Sequence, residues 1–210
     1  MPAGKIILLN GSSSSGKTTL ALALQQAIRA PYQHIALDQF RDGMSGRYRG
    51  LNSPPDTPGE QGLNIVPVTM GAQRVTEIRF GQIGQNMLRA MRRAIRTFVL
   101  EGQNVIIDDL MFEKDFLVDY INVLVDMKVL FVGVKCSLDI VNERESKRAG
   151  RFPGTATSHF ERVHQHAIYD LEVDTRKASP AECAQKIIGV MNKPPNPSAF
   201  ERLRERFMLG

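Results

Sequence analysis

Short apolar segments alternate with amphipathic segments along most of the chain. Nearly continuous apolar runs, such as 6–9 and 129–134, are typical of strands buried on both faces. The predicted strands are 6–9, 34–37, 105–107, 129–134 and 171–173. The predicted helices are 18–30, 72–100, 112–126, 138–148, 158–168 and 180–191. Because strands that alternate with helices pair in parallel through crossovers, the pattern predicts an α/β fold with helices on both faces of a parallel sheet.

One long segment interrupts this alternation. Residues 41–75 are rich in Gly, Pro, Asn and Ser, and only 63–68 has an extended pattern. A stretch of this length without regular structure is uncommon inside a domain. We therefore expect a functional insertion here rather than a linker.

The C-terminal segment, 193–210, begins with a proline-rich stretch and places Phe200, Leu203 and Phe207 at helical spacing. Such an apolar stripe is expected to pack as a docking tail on the domain before it, residues 1–192. A surface for a partner protein is the alternative.

Composition places the chain among globular proteins that function outside membranes. The chain has 210 residues, of which 42% are apolar and 23% are charged, close to the averages of soluble domains. Its apolar runs are far shorter than the ~20 residues that cross a bilayer. Cys136 and Cys183 lie within apolar segments and are expected to be reduced thiols. These features indicate a cytoplasmic protein with no membrane association.

The charge balance is basic. There are 27 Lys and Arg residues against 22 Asp and Glu residues, a formal net charge of +5. An excess of this size permits nucleotide phosphates or nucleic acid as partners but does not choose between them. The arginines at 89–96 fall away from the apolar stripe of the predicted helix 72–100, which indicates a solvated face.

The first predicted strand is followed by a complete phosphate-binding motif, G-x-x-x-x-G-K-T, at 11–18. Its glycines let backbone amides point at phosphate oxygens, and the helix behind adds a favourable dipole. Lys17 is expected to bridge the β- and γ-phosphates, and the Thr18 hydroxyl is expected to ligate Mg²⁺. The predicted nucleotide-binding residues are Gly11, Ser12, Ser13, Ser14, Ser15, Gly16, Lys17, Thr18, Thr19 and Arg144.

Two carboxylates follow predicted strands at the edge where ligands bind in open α/β sheets. Asp108, with Asp109 behind it as the weaker candidate, ends an apolar strand and is expected on the metal side of the nucleotide. A turn or cap is the alternative for this pair. Asp38 follows the strand 34–37 and could take the proton of an acceptor hydroxyl. A helix N-cap is the alternative for Asp38.

Arg144, Arg148 and Arg151 surround the Gly- and Pro-containing bend 150–154, within a predicted lid over 144–157. Arginines on a closing lid neutralise the charge that spreads over a transferring phosphoryl group, and the lid excludes water. Ion pairing with a neighbouring glutamate on the helix surface is the competing interpretation.

Taken together, these motifs resemble chloramphenicol phosphotransferase and its relatives over about residues 5–191. The resemblance implies a three-layer, nucleoside-monophosphate-kinase-like P-loop fold with a five-stranded parallel sheet and an arginine-bearing lid. It also implies ATP and Mg²⁺ as cofactors, Asp38 as general base, Lys17 and Thr18 on the phosphates and Mg²⁺, and Arg148 and Arg151 as lid arginines. The matching residues are 11–18, Asp38, 106–109, 132–136, the lid arginines, His164 and 169–175.

By the same resemblance, residues 41–75 should line the acceptor pocket, although little of this insertion matches the family beyond the extended segment 63–68. His164 is expected to be structural. The expected function is phosphorylation of a hydroxyl on a small molecule, with an antibiotic such as chloramphenicol as one candidate acceptor.

Two other functions stay open from the sequence. A kinase for polynucleotide 5′-hydroxyls, other RNA or nucleosides is favoured by the basic helix and by an arginine, Arg41, three residues after Asp38. It is disfavoured because no dedicated nucleic-acid module is apparent. The second function that stays open is a nucleotide-gated switch that acts through the tail 193–210. The sequence is also compatible with a homo-oligomer.

Overall fold

A five-stranded parallel sheet forms the centre of the protein in a computed structural model that describes residues 2–148 and 152–208. The strands in these ranges are β1 (Ile6–Asn10), β2 (Tyr32–Ala36), β3 (Arg49–Leu51), β4 (Leu63–Met70), β5 (Gln73–Phe80), β6 (Asn104–Asp109), β7 (Val129–Lys135) and β8 (Leu171–Asp174). The strand order in the main sheet is β2-β6-β1-β7-β8, and every neighbouring pair in it is parallel. The expected α/β fold with a five-stranded parallel sheet is therefore confirmed.

Helices cover both faces of this sheet. In the same ranges they are α1 (Lys17–Ala27), α2 (Leu37–Asp42), α3 (Pro58–Gln61), α4 (Gln82–Leu100), α5 (Lys114–Val123), α6 (Leu138–Ser146), α7 (Thr155–His159), α8 (Arg162–Gln165), α9 (Pro180–Asn192) and α10 (Ala199–Met208). Alternate residues of β1 enter two separate cores, because successive side chains of a strand point to opposite faces. Ile6 and Leu8 pack with residues of α4, α5 and α10, whereas Ile7 and Leu9 pack with residues of α1 and α9.

The prediction of one helix over 72–100 is wrong in its first third. Residues 73–80 form β5, which pairs antiparallel with β4 around a turn at Gly71, where φ is +59°. Val75, Thr76 and Ile78 are β-branched, a composition that suits a strand better than a helix. With β3 these strands make a second, three-stranded sheet.

The insertion 41–75 is more regular than its composition suggested. It contains β3, α3, all of β4 and the first residues of β5. Other boundaries also shift: α2 was not predicted, and the predicted helix 158–168 is replaced by the short helices α7 and α8. Packing against the rest of the chain fixes such short elements, which have weak local signals.

The tail forms α10 and packs against α5 and β7. Phe200 and Leu203 are fully buried in the core. The Asp170 carboxylate fixes the start of this helix by accepting hydrogen bonds from the backbone amides of Ala199, at 2.6 Å, and Phe131, at 2.8 Å.

Both cysteines are free thiols, and Cys183 is buried. Across 2–148 and 152–208, the helices are too short or too polar to cross a membrane.

Candidate active site

The loop between β1 and α1 curls tightly around the N-terminus of α1. Gly16 caps this helix with φ at +98°, a left-handed conformation that L side chains rarely adopt. Gly11 is equally constrained, because a Cβ there would lie 2.5 Å from the carbonyl oxygen of Val134 on β7. The two glycines of the motif are thus required by backbone conformation and by the packing of the loop against the sheet.

Lys17 lies inside this loop and is almost fully buried. Its Nζ donates hydrogen bonds to the carbonyl oxygens of Gly11 and Ser12, both at 2.9 Å, and lies 3.9 Å from Oδ1 of Asp108. These contacts hold a positive charge at the floor of the loop, where a phosphate oxygen would bind.

The serines of the loop supply hydroxyls that fit an anion. The Oγ atoms of Ser13, Ser14 and Ser15 are buried, and within the described part of the chain they have no hydrogen-bond partner. Buried hydroxyls without a partner are costly. A phosphate group bound in the loop would supply the missing acceptors.

A threonine and a carboxylate meet beside the loop. Thr18 Oγ1 donates a 2.6 Å hydrogen bond to Oδ2 of Asp108. Burial alone would raise the pKa of Asp108, but the neighbouring His34, Lys17 and Thr18 outweigh it and lower that pKa. An ionised carboxylate next to a hydroxyl is the oxygen-rich donor set that Mg²⁺ prefers, so both residues fit the metal role expected from the sequence.

The next carboxylate along β6 has a different role. Asp109 accepts hydrogen bonds from the hydroxyl of Tyr120 and from the backbone amide of Leu110, each at 2.7 Å. Because both of its oxygens are engaged inside the fold, Asp109 joins β6 to α5.

Sequence reasoning missed His34, which lies on β2 beside the metal-side carboxylate. Its Nε2 is buried and lies 3.7 Å from Oδ2 of Asp108. A histidine at the start of the predicted strand 34–37 was the available signal, but only the parallel pairing of β2 with β6 places it there.

Asp38 lies in the first turn of α2 rather than at the end of a strand. Its carboxylate is about half exposed, and Oδ1 accepts a 2.8 Å hydrogen bond from Arg41, one turn later. Arg41 also contacts Asp42 at 2.8 Å. The N-cap position of this helix belongs to Ala36, so the alternative role as a cap does not apply to Asp38.

The lid arginines differ in their surroundings. Arg144 donates to the hydroxyl and the carbonyl of Thr175, both at 3.1 Å, and the Thr175 hydroxyl donates to the carbonyl of Ser15 in the phosphate loop at 2.7 Å. Arg148 is exposed and lines the same cavity as the loop. Arg151 lies outside the described residues.

Glu145, between these arginines, is buried and binds backbone. Its two carboxylate oxygens accept hydrogen bonds from the amides of Gly154 and Ala156, both at 2.9 Å. This carboxylate therefore ties the end of α6 to the start of α7, on the far side of the bend.

A second histidine that sequence reasoning missed connects α7 to the phosphate loop. The backbone amide of Ser13 donates to Nε2 of His159 at 3.1 Å, and the ring stacks on Phe112 with centroids 5.7 Å apart. Burial, helped by the positive charges of Lys17 and Arg162, lowers the pKa of His159 to about 3.

His164 lies behind the loop, in a buried network. Its Nδ1 is 2.6 Å from the hydroxyl of Tyr169, and that hydroxyl accepts a 2.8 Å hydrogen bond from Asn10, just before the phosphate loop. Burial lowers the pKa of His164 to about 4. These contacts agree with the structural role expected for this histidine.

Acidification from pH 7 to pH 5 is expected to lower the free energy of unfolding by roughly 2 kcal/mol for each of His159 and His164. Both pKa values are depressed in the folded protein, whereas an unfolded histidine has a pKa near 6.5. Below about pH 6.5 the unfolded chain therefore binds more protons, and stability is lost as pH falls toward the folded values. Urea unfolding at several pH values measures this loss.

His159→Gln and His164→Gln should each flatten that pH dependence, and His166→Gln serves as the matched control. A pH dependence unchanged in both variants would contradict the assignment of neutral, buried imidazoles.

The phosphate loop, Asp108, Asp38 and Arg148 line one cavity of about 1200 Å³. Ligand pockets commonly measure ~300–1,000 Å³, so this space suffices for a nucleotide together with a second molecule. Several residues of the insertion border it, including Arg49. The structure thus brings most of the sequence-predicted site residues to one cavity.

A strand–loop–helix phosphate site at the carboxyl edge of a parallel sheet defines a P-loop protein. A family model for "Chloramphenicol phosphotransferase-like protein" matches residues 4–192. The chain belongs to this family, and it is a phosphotransferase of the P-loop kinase type.

The chain is also similar to curated and structurally characterised proteins. It is 33% identical over 218 residues to a Mycobacterium tuberculosis protein named "Putative O-phosphotransferase Rv2636", covering 99% of this chain and 91% of that protein. Among solved structures, the M. tuberculosis APS kinase CysC in complex with AMPPNP and APS superposes with a TM-score of 0.64 at 17% identity, over 92% of this chain and 100% of that one. A gluconokinase from Sinorhizobium meliloti 1021 superposes with a TM-score of 0.55 at 16% identity, over 100% of this chain and 98% of that one. At such identities the two structures show a shared fold.

Proposed function

We propose that the protein transfers the γ-phosphoryl group of ATP to a hydroxyl of a small molecule, with Mg²⁺ as cofactor. The observation that carries this proposal is a single cavity lined by the phosphate loop, the Thr18–Asp108 pair and Asp38. The residues that would bind the phosphoryl donor, those that would hold the metal and the carboxylate that would act as base therefore line the same cavity. The two free cysteines support a reducing, cytoplasmic setting.

The nucleotide would be held by the phosphate loop. Backbone amides and the buried hydroxyls of 13–15 would bind the β- and γ-phosphates, and Lys17 would compensate their charge. Thr18 and Asp108 would hold Mg²⁺. When bound, the metal supplies electrophilic stabilisation of the phosphoryl oxygens and of the leaving group.

Asp38 would act on the acceptor. As the acceptor oxygen forms its bond to the γ-phosphorus, its proton passes to the Asp38 carboxylate, and the bond between that phosphorus and the bridging β–γ oxygen breaks to release ADP. Arg41 fixes the orientation of the carboxylate through their 2.8 Å contact.

Arg148→Ala is expected to lower kcat by more than it weakens ATP binding. The Arg148 side chain is exposed at the cavity, where a lid can bring it to the phosphoryl group only during transfer. Removing such a group commonly costs on the order of 10²-fold in rate. Steady-state kinetics and the dissociation constant of a fluorescent ATP analogue provide the two measurements.

Arg144→Ala is the comparison, because Arg144 is bonded to Thr175 beside the phosphate loop. It should weaken nucleotide binding at least as much as turnover. Equal losses of turnover and affinity in Arg148→Ala would instead indicate simple nucleotide binding by Arg148.

The overall proposal is tested by ADP release from ATP and Mg²⁺ in the presence of hydroxylated antibiotics including chloramphenicol, nucleosides, sugars and RNA 5′ ends. We expect acceptor-dependent ADP formation with at least one small alcohol, and a phosphorylated product by mass spectrometry. ADP formation that no acceptor stimulates, or transfer to protein or water alone, would overturn it.

A kinase acting on nucleic-acid 5′-hydroxyls is the second candidate. It is favoured by the ion pair between Asp38 and Arg41 and by Arg49 at the same cavity. Binding of nucleic acid through several phosphates weakens steeply as salt rises. RNA binding with a steep salt dependence, together with phosphorylation of its 5′ end, would favour this candidate over the small-molecule kinase.

A further inference from the structure

The second sheet presents an apolar face to the cavity. In the antiparallel pairing of β4 with β5, Leu63 lies opposite Phe80 and Ile65 lies opposite Ile78. Because alternate residues of a strand share a face, these four side chains form one patch, and all four line the cavity that contains the phosphate loop and Asp38. We call them the acceptor wall.

The opposite face of the same strands has another character. There Asn64 pairs with Arg79 and Val66 pairs with Glu77, and none of these four residues lines the cavity. The opposite face thus mixes polar and charged side chains with Val66, whereas the four residues that border the site are all apolar.

Two side chains of the acceptor wall are buried by other parts of the protein, and the other two are partly exposed. Leu63 and Phe80 are buried in the core, where Phe80 packs against Phe112 and Phe116. Ile65 and Ile78 are only partly buried. A pair of isoleucines beside a cavity is left in contact with water, and an apolar ligand that covered them would gain the free energy of burial.

The charged groups near the wall already contact one another. Arg41 contacts Asp38 and Asp42, each at 2.8 Å, and Arg49 lies 3.9 Å from Asp42. An acceptor with a hydroxyl on every carbon would place several of them against Ile65 and Ile78, where they would lose hydrogen bonds to water without replacement.

We propose that the acceptor is an alcohol with few hydroxyls and an apolar body that packs on Ile65 and Ile78, so that these two residues determine specificity. This inference rests on the proposed function, since it assigns the acceptor side of the same cavity. It selects against polyols, sugars and sugar acids.

The test uses two probes, 2-phenylethanol and ribitol, with protein labelled at the isoleucine δ1 methyl groups and saturated with AMPPNP and Mg²⁺. We expect 2-phenylethanol to shift the methyl resonances of Ile65 and Ile78, and ribitol to leave them unchanged. The resonances are assigned with Ile65→Val and Ile78→Val. Shifts from ribitol that match or exceed those from 2-phenylethanol, or none from 2-phenylethanol, overturn the proposal.

The double variant Ile65→Thr, Ile78→Thr keeps β-branched side chains and replaces the ethyl group of each isoleucine with a hydroxyl. It should raise the dissociation constant of 2-phenylethanol roughly tenfold or more, because a single methylene in an apolar pocket is already worth about 10–200-fold, and leave that of AMPPNP unchanged. Val66→Thr, on the opposite face of β4, is the control and should change neither. An equal effect of the control would overturn the assignment of the wall.

Because methyl shifts report binding without transfer, the two proposals fail separately. Binding of 2-phenylethanol at the acceptor wall without any acceptor-dependent ADP release would support the role assigned to the wall and contradict the phosphotransferase mechanism. Release of ADP with ribitol but not with 2-phenylethanol would support the mechanism and overturn the role assigned to the wall.

Discussion

Asp38→Asn is expected to lower the rate of phosphoryl transfer by ~10²–10⁴, the usual worth of a general base, while ATP binding stays nearly unchanged. The amide has the same shape but cannot accept the hydroxyl proton. The fold should tolerate the change, because the carboxylate is about half exposed and its ion pair with Arg41 is of a kind worth only ~0–1 kcal/mol. Single-turnover transfer and binding of an ATP analogue measure the two effects.

Asp42→Asn is the matched control. Asp42 lies one turn later on α2, contacts the same arginine and lines the same cavity. We expect this variant to retain most of the transfer rate. A wild-type rate in Asp38→Asn, or an equally large loss in both variants, would show that the base is elsewhere.

Lys17→Met should impair nucleotide binding and chemistry together. The ammonium group is buried at the floor of the loop and compensates charge that is present on the bound phosphates and increases during transfer. Loss of one such donor typically costs about 10²–10³ in kcat, and the weaker affinity for ATP adds to this in kcat/KM. Steady-state kinetics at varied ATP concentration and calorimetric binding of AMPPNP check both.

Lys147→Met provides the comparison, because Lys147 lines the same cavity but is mostly exposed and pairs with Glu143. It should stay within about twofold of the wild type, as expected for a screened surface charge. Thermal unfolding of both variants separates a binding defect from misfolding, since Lys17 also lies 3.9 Å from the buried Asp108. Normal ATP affinity in folded Lys17→Met would contradict the assigned role.

The main sheet was predictable because its strands carry their signal locally. The runs in β1 and β7 are apolar without interruption, since both faces of a central parallel strand are buried. The helix prediction was wrong at 73–80 because the local signal there is ambiguous. A short amphipathic strand next to a long helix can be read with either period, and its pairing with β4 decided the outcome.

The same distinction between local signals and contacts of distant residues applies to the candidate active site. The phosphate loop was predictable because its motif is contiguous, and Asp108 because it lies at the carboxyl end of a buried strand. His159 gave no such signal. It contacts Ser13 across 146 residues of chain, and nothing near it in the sequence indicates that contact.

Local sequence was therefore sufficient to predict the parallel sheet, the phosphate loop with Lys17 and Thr18, and a phosphotransferase family. Each depends on neighbouring residues that impose a backbone conformation or bury a strand. The folded chain was needed to show which face of the second sheet borders the cavity, that Asp109 binds Tyr120, and that His159 contacts Ser13. These depend on strand register and on the packing of distant segments, which the free energy of the whole fold sets rather than any local preference.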